Sequence, residues 1–334
     1  MADKRGQMLR KFPQERFRGT NPSGSWLGEN LIYRNLLGWC SETTYNSTVD
    51  PVRRLDDQFF AELGDILAWA ADRGISLQSR FYIYKRNIEW LRAHDGEDDR
   101  PRIYAQLASE GKLNEILSTM TESIELVETI PALRRLNVDI PKELLRRAFS
   151  GPADISREDH TSNEARNAMF ELSVAAMAAR RGLTPTLSNT NPDVSFEFEA
   201  RRVKIECKRI LSVDRIMERL REGTKQLEKS VQRTISDIGI VAISLSKLVN
   251  PGDRFLVSDS PRDDLSQQLH EALKSNEQQI GRMHRPWVSG FIFYVSSAAY
   301  VPDMGYTPTN SATVFPLDPA EQAFLGRLAQ ALYV

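Results

Sequence analysis

Between residues 191 and 208 the chain alternates apolar and polar side chains twice, on either side of a short charged turn. Side chains of a strand alternate with a period of two, so Val194, Phe196 and Phe198 share one face while Asp193, Ser195, Glu197 and Glu199 share the other. In the second run Val203, Ile205 and Cys207 point one way, and Lys204, Glu206 and Lys208 the other. The pattern predicts a β-hairpin with one apolar and one charged side. Asp193, Glu206 and Lys208 can converge on the charged side, where two acids and a lysine have the chemistry of a metal site with an activating base or electrophile.

Upstream, the periods are helical. Phe59, Phe60, Leu63, Ile66, Leu67 and Ala70 make one stripe, Phe81, Tyr84, Ile88 and Leu91 a second, and Leu113, Ile116, Leu117, Met120, Ile124 and Val127 a third. Pro141 is placed to open one more short helix, and Ser150-Gly151-Pro152 marks a linker. Residues 1–150 are therefore expected to form an all-α domain, and 151–334 a second domain. The first 50 or so residues are irregular, with Lys4, Arg5, Arg10, Lys11, Arg16 and Arg18 followed by Trp26, Tyr33 and Trp39. They form either an arm packed by its aromatics or a basic arm that touches nucleic acid.

A long helix is expected from about 162 to 181, with Ser162 as N-cap and Gly182 at its end. Between Asn167 and Ala179 its only charged residue is Glu171, set among Phe170, Leu172, Val174 and Met177. A lone buried carboxylate costs several kcal/mol unless a cation or donors compensate it. Glu171 should thus face a metal, a lysine or the charged side of the hairpin, unless it reaches solvent along a narrow seam. Leu183 to Ser188 reads as a first strand before the hairpin, and a helix from about 213 to 237 follows it.

That helix packs Val213, Ile216, Met217, Leu220, Leu227 and Val231 inward, with Arg215, Arg219, Gln226 and Arg233 along its flank. Residues 201–233 hold eleven Lys or Arg against five Asp or Glu, an excess of six positive charges. Such an excess suits a surface that tracks a phosphate backbone, and a solvated charged helix is the other reading. Strands at 239–245 and 288–295, a helix at 262–283, a short edge strand at 312–316 and a closing helix at 321–332 complete the order. The fold class is α/β, a mixed sheet covered on both faces.

The totals limit the alternatives. A formal charge of −1 gives no global signal for a polyanion. Cys40 and Cys207 are too few and too far apart for a disulfide framework or a cysteine metal site, which fits a reducing cytoplasm. No run approaches the roughly 18 apolar residues of a membrane span, so neither export nor membrane insertion is expected. His94, His160, His270 and His284 lack zinc spacing, and no phosphate-cradling Gly-Lys-Ser/Thr loop exists.

Glu171 on the leading helix, Pro192-Asp193 opening the second strand, Glu206-Cys207-Lys208 in the third and Gln226 on the next helix together resemble the PD-(D/E)xK, or restriction endonuclease-like, nuclease superfamily. The resemblance covers roughly residues 160 to 300, and implies that superfamily's mixed sheet flanked by helices. It implies Asp193 and Glu206 as ligands of Mg²⁺ or Mn²⁺, helped by the backbone carbonyl of Cys207, with Glu171 acting through water or on a second ion. Lys208 would orient and help deprotonate the attacking water, and the Cys207 thiol would lie on the core face. Gln226 matches a polar position of the superfamily or is a plain surface residue. The implied substrate is DNA, with RNA the other polymer this chemistry allows, and the implied setting is prokaryotic restriction or defence. Arg209, Arg215, Arg219, Gln226 and Arg233 would contact the nucleic acid. Cutting both strands would call for a homodimer or a partner held by the N-terminal helical domain. A binding or assembly module that keeps the fold without cutting is the competing function.

Overall fold

The computed structural model describes residues 57–93, 100–159, 162–230, 237–250, 256–258, 260–283, 285, 287–301 and 305–333. All fall within one compact unit, Tyr45–Val334. The basic arm, Arg233 and the end of the helix expected to reach 237 lie outside the described residues.

Among the described residues five helices lead: α1 Asp57–Ala71, α2 Arg80–Ala93, α3 Arg100–Ser109, α4 Leu113–Arg135 and α5 Lys142–Phe149. The expected stripes are their buried faces: Phe59, Leu63, Ile66, Leu67 and Ala70 on α1, and Phe81, Tyr84 and Ile88 on α2. Pro141 stands at the N-cap of α5. Helix α6, Glu164–Arg180, is buried on almost every side because α4 and α5 cover one flank and the sheet the other. Its start corrects the expected cap. Asn163 holds the N-cap without a side-chain bond, while the Ser162 hydroxyl donates to Asp159 Oδ1 at 3.0 Å. Gly182, at φ +74°, ends the helix in the left-handed region as expected.

Strands β1 Thr186–Leu187, β2 Val194–Phe198 and β3 Arg201–Arg209 are antiparallel. The hairpin between β2 and β3 turns on Glu199 (φ 49°) and Ala200 (φ 60°). Two successive left-handed residues define a type I′ turn, whose twist matches that of the strands. Glu199 also accepts from Arg327 Nε and Nη2, both at 2.8 Å, which ties the turn to the closing helix. After a short 3₁₀ turn, α7 Ile216–Ser230 leads to β4 Asp237–Ser244, so Asp237 belongs to a strand rather than to the helix.

The rest of the sheet is longer than the sequence suggests. Helix α8 Ser246–Val249 and the two-residue β5 Leu256–Val257 were not anticipated, and the expected helix at 262–283 is two, α9 Pro261–Lys274 and α10 Glu277–Gly281. The strand expected at 288–295 is β6 Gly290–Val301, and the short edge strand is the twelve-residue β7 Gly305–Pro316. A 3₁₀ turn and α11 Gln322–Tyr333 close the chain. Strands β3, β4 and β6 are parallel, β5 is parallel to β6, and β7 is antiparallel to it. Because β7 lines one whole edge of β6, β4 and β5 share the other.

The seven-stranded mixed sheet is covered on both faces. Val203, Ile205, Cys207, Ile240, Ala242 and Ile292 pack toward α6 and the leading helices, while Val241, Ile243, Phe291 and Phe293 pack toward α7 and α9. One apolar cluster runs from Phe59 through Phe149 and Phe170 to Ile205 and Leu332. Packing therefore continues across residue 150, where the linker was expected. Among the described residues no helix is long and apolar enough to cross a membrane.

Candidate active site

Asp193 lies one residue before β2, and its position follows from the hairpin. Its Oδ2 accepts from the backbone N–H of Cys207 at 2.8 Å, which pins the carboxylate to the middle of β3. The strand's alternation then turns Cys207 into the core facing α6 and sends Glu206 and Lys208 to the α7 side. That side is not a wet surface. Glu206 is 0% exposed because α7 lies over it, with Gly223 at the contact. A Cβ on Gly223 would stand 2.7 Å from Val241 Cγ1 and 3.6 Å from Glu206 Cγ, so only glycine permits this approach.

The Lys208 ammonium donates to Glu206 Oε1 at 2.7 Å and to the Cys207 carbonyl at 3.2 Å. These are two of the oxygens that the resemblance assigns to a metal ion. Glu171 enters from the middle of α6, 6% exposed. Its nearest ionic partner is Arg147 of α5, with Nη2 3.8 Å from Oε2. Oε2 of Glu171 and Oε2 of Glu206 are both buried without a hydrogen-bond partner.

The electrostatics show how short of positive charge the pocket is. Burial, then the nearby Asp193, push Glu171 up to about 8 and Glu206 up to about 7. Asp193 is raised too, mainly by burial, with Lys208 and the Cys207 N–H pulling against it. Burial works against the Lys208 ammonium, but Glu206 and Asp193 outweigh it and hold its pKa above the ordinary lysine value. The donors are all oxygens, the set a hard divalent cation takes, and two of them have no partner. By donor type alone these are oxygens that Mg²⁺ or Mn²⁺ accepts. The carboxylates are near enough to perturb one another, yet among the described residues no three acidic, histidine or cysteine side chains form a ready ligand cage. Lys208 accounts for part of that: its ammonium holds Glu206 Oε1 where a cation would compete for it.

The expected nucleic-acid contacts are less gathered. Arg209 is buried and paired to Glu158, on the opposite face of β3 from Lys208, so it offers nothing to a phosphate at the surface. Arg215 pairs with Glu218 at 2.9 Å, and Arg219 with Glu222 at 2.5 Å. Gln226 is half-buried, and its Oε1 has no partner. Much of the positive excess over 201–233 is met by acids from elsewhere: Arg201 by Glu321, Lys204 by Asp237 and Arg209 by Glu158. Sequence reasoning missed the exposed residues Arg221, Lys225 and Lys229, four apart on the outer face of α7. Their spacing opposite Leu220, Thr224 and Leu227 was the available signal. It also missed Arg147, for which nothing in the local pattern points to Glu171.

Comparison with protein-family models, with curated proteins and with solved structures finds no match to this chain.

Proposed function

We propose that this protein is a divalent-metal-dependent nuclease that hydrolyses phosphodiester bonds of DNA, acting in the cytoplasm. One observation carries the reading: Glu171, Asp193, Glu206 and Lys208, from three separate elements, are buried close enough to shift one another's pKa values, and among them carboxylates outnumber cations. The PD-(D/E)xK resemblance assigns roles to the same four residues.

Asp193, Glu206 and the Cys207 carbonyl would hold the ion. When bound, it supplies Lewis-acid stabilisation of the charge that grows on the scissile phosphate. The chain's own residues do the rest. With Glu206 and Asp193 given over to holding an ion, their charges would no longer keep the proton on Lys208, and burial would favour its neutral amine. In that state Lys208 can take a proton from an attacking water, while Glu171 holds that water by a hydrogen bond. Arg147, 3.8 Å from Glu171, positions that carboxylate without touching the reacting atoms.

The test is cleavage of supercoiled plasmid DNA with Mg²⁺ or Mn²⁺. Asp193→Ala and Lys208→Ala are each expected to lose about 10²- to 10⁴-fold in rate, and full activity in both variants sinks the assignment. A parallel arm with single-stranded RNA decides between the polymers. The bond from Lys208 to both Glu206 Oε1 and the Cys207 carbonyl specifically favours a second reading, a binding module whose ammonium has replaced the ion. Calorimetric titration with Mn²⁺ in the presence of DNA separates the two, since only the nuclease reading requires the ion to displace Lys208.

A further inference from the structure

A second polar pocket lies on the other face of the sheet, among α4, α6 and the C-terminal ends of β3, β4 and β6. It is a small cavity, with about 50 Å³ of space open to a water-sized group. Its deep wall carries Arg80 and Arg166, 1% and 4% exposed, which close on the single carboxylate of Glu122. Arg80 Nε donates to Glu122 Oε2 at 2.6 Å, Arg166 Nε donates to Oε1, and Tyr84 donates to Oε2 at 3.1 Å. Arg80 spends Nη1 on the carbonyls of Ala148 and Ser150, and Arg166 spends Nη2 on that of Pro152. Arg80 Nη2 and Arg166 Nη1 remain buried with no partner. Two guanidiniums thus close on one carboxylate, and each retains a buried N–H group with nothing to bond.

The opposite wall is rich in hydroxyls, from Ser244, Ser246, Ser296 and Ser297, with the Phe170 and Tyr294 rings stacked at 5.7 Å. Glu125 also lines the cavity, with its Oε1 accepting from Ser173 at 2.7 Å. Burial raises its pKa above the ordinary carboxylate value, with the Ser173 hydroxyl pulling against it. Arg209 on the same wall is neutralised by Glu158.

We propose that this cavity is a binding site for a small phosphate-bearing ligand, separate from the carboxylate and lysine pocket. A phosphate group supplies acceptor oxygens for the two guanidinium N–H groups left without a partner. The proposal does not depend on the nuclease reading.

The experiment is the thermal midpoint of the full chain in inorganic phosphate, against chloride at equal ionic strength, because a ligand that binds only the folded state raises that midpoint. Arg166→Gln removes a donor directly but opens a buried network and can unfold the chain. Thr121→Trp is the second variant: Thr121 is half-buried on the cavity wall and its hydroxyl bonds only within α4, to Leu117 O, so tryptophan plugs the space without touching the arginines. Wild type and Lys208→Ala should both gain a phosphate-specific rise, and Thr121→Trp should lose it. No rise in wild type, an equal rise in Thr121→Trp, or loss of the rise in Lys208→Ala overturns the proposal. Adenosine 5′-monophosphate at the same concentration distinguishes the sources. A larger rise than with phosphate supports a nucleotide ligand at this site, and an equal one supports the free ion.

Discussion

Two buried charged clusters share helix α6 and strand β3, and they are opposites. Glu171 and Lys208 belong to one; their chain neighbours Phe170 and Arg209 line the other. In the first, three carboxylates stand against the Lys208 ammonium and the Arg147 guanidinium, and Glu171 and Glu206 are pushed up to about 8 and about 7. In the second, two guanidiniums surround one carboxylate, and Glu122 is lowered to about 2. Burial alone would raise it, but Arg166 and Arg80 outweigh burial. The three acids are all deeply buried, so the count of opposite charges around each decides the direction. In one cluster burial wins over the cations present, and in the other the guanidiniums win over burial.

The comparison can be broken hardest at Glu122. Glu122→Gln leaves Arg80 and Arg166 buried without a counter-charge, and loss of one partner from such a network costs about 3–5 kcal/mol. Chemical denaturation measures it, and a loss below about 1 kcal/mol would mean that the arginines are compensated by other groups. A smaller effect is expected at Gly223. Gly223→Ala forces α7 away from Val241 and Glu206, which by overpacking costs about 1–3 kcal/mol. Because Glu206 moves with it, Mn²⁺ affinity measured by calorimetry should fall; unchanged affinity would separate α7 packing from the ion.

The smallest effect, and the one that sharpens the contrast, is the pH profile of chelator-treated protein. Glu171 and Glu206 have raised pKa values when folded, so the fold binds their protons more tightly than the unfolded chain does. Their contribution is complete below the ordinary carboxylate range and is lost as pH rises through about 7 and about 8. The thermal midpoint should therefore decline between pH 5 and 8.5 by this contribution, and Glu171→Gln should flatten part of the decline. Glu122 has the opposite sign: its contribution is present above the ordinary range and is lost only as pH falls toward about 2, so it is silent in this window. A wild-type profile that matches Glu171→Gln throughout would rule out a proton on Glu171.

The hairpin was legible because a period of two survives folding unchanged, and Glu171 because a single charge in an apolar helix has to be answered. Burial of Glu206 was not, since a strand's alternation says which side a residue faces but not that α7 will lie on that side. The positive excess over 201–233 misled for a related reason. Its partners Glu158, Asp237 and Glu321 are far enough along the chain that no local window contains both charges. The Arg80, Glu122 and Arg166 cluster escaped entirely, because about forty residues separate each member from the next and the helical stripes account for the segment as packing. Strand β7 was read short because Pro308 and Gly305 look like turn residues, whereas an edge strand tolerates a residue that cannot donate to a ladder.

The apolar cluster that runs from Phe59 to Leu332 also bears on how such a protein can diversify. Shuffling at Gly151 would part α5 from α6 and leave Leu144, Leu145, Ala148 and Phe149 facing water on one fragment, with Ala168, Leu172 and Ala175 on the other. Neither half is then an exchangeable cassette. Substitution on outward faces, such as the Arg221, Lys225 and Lys229 side of α7, leaves that shared core intact.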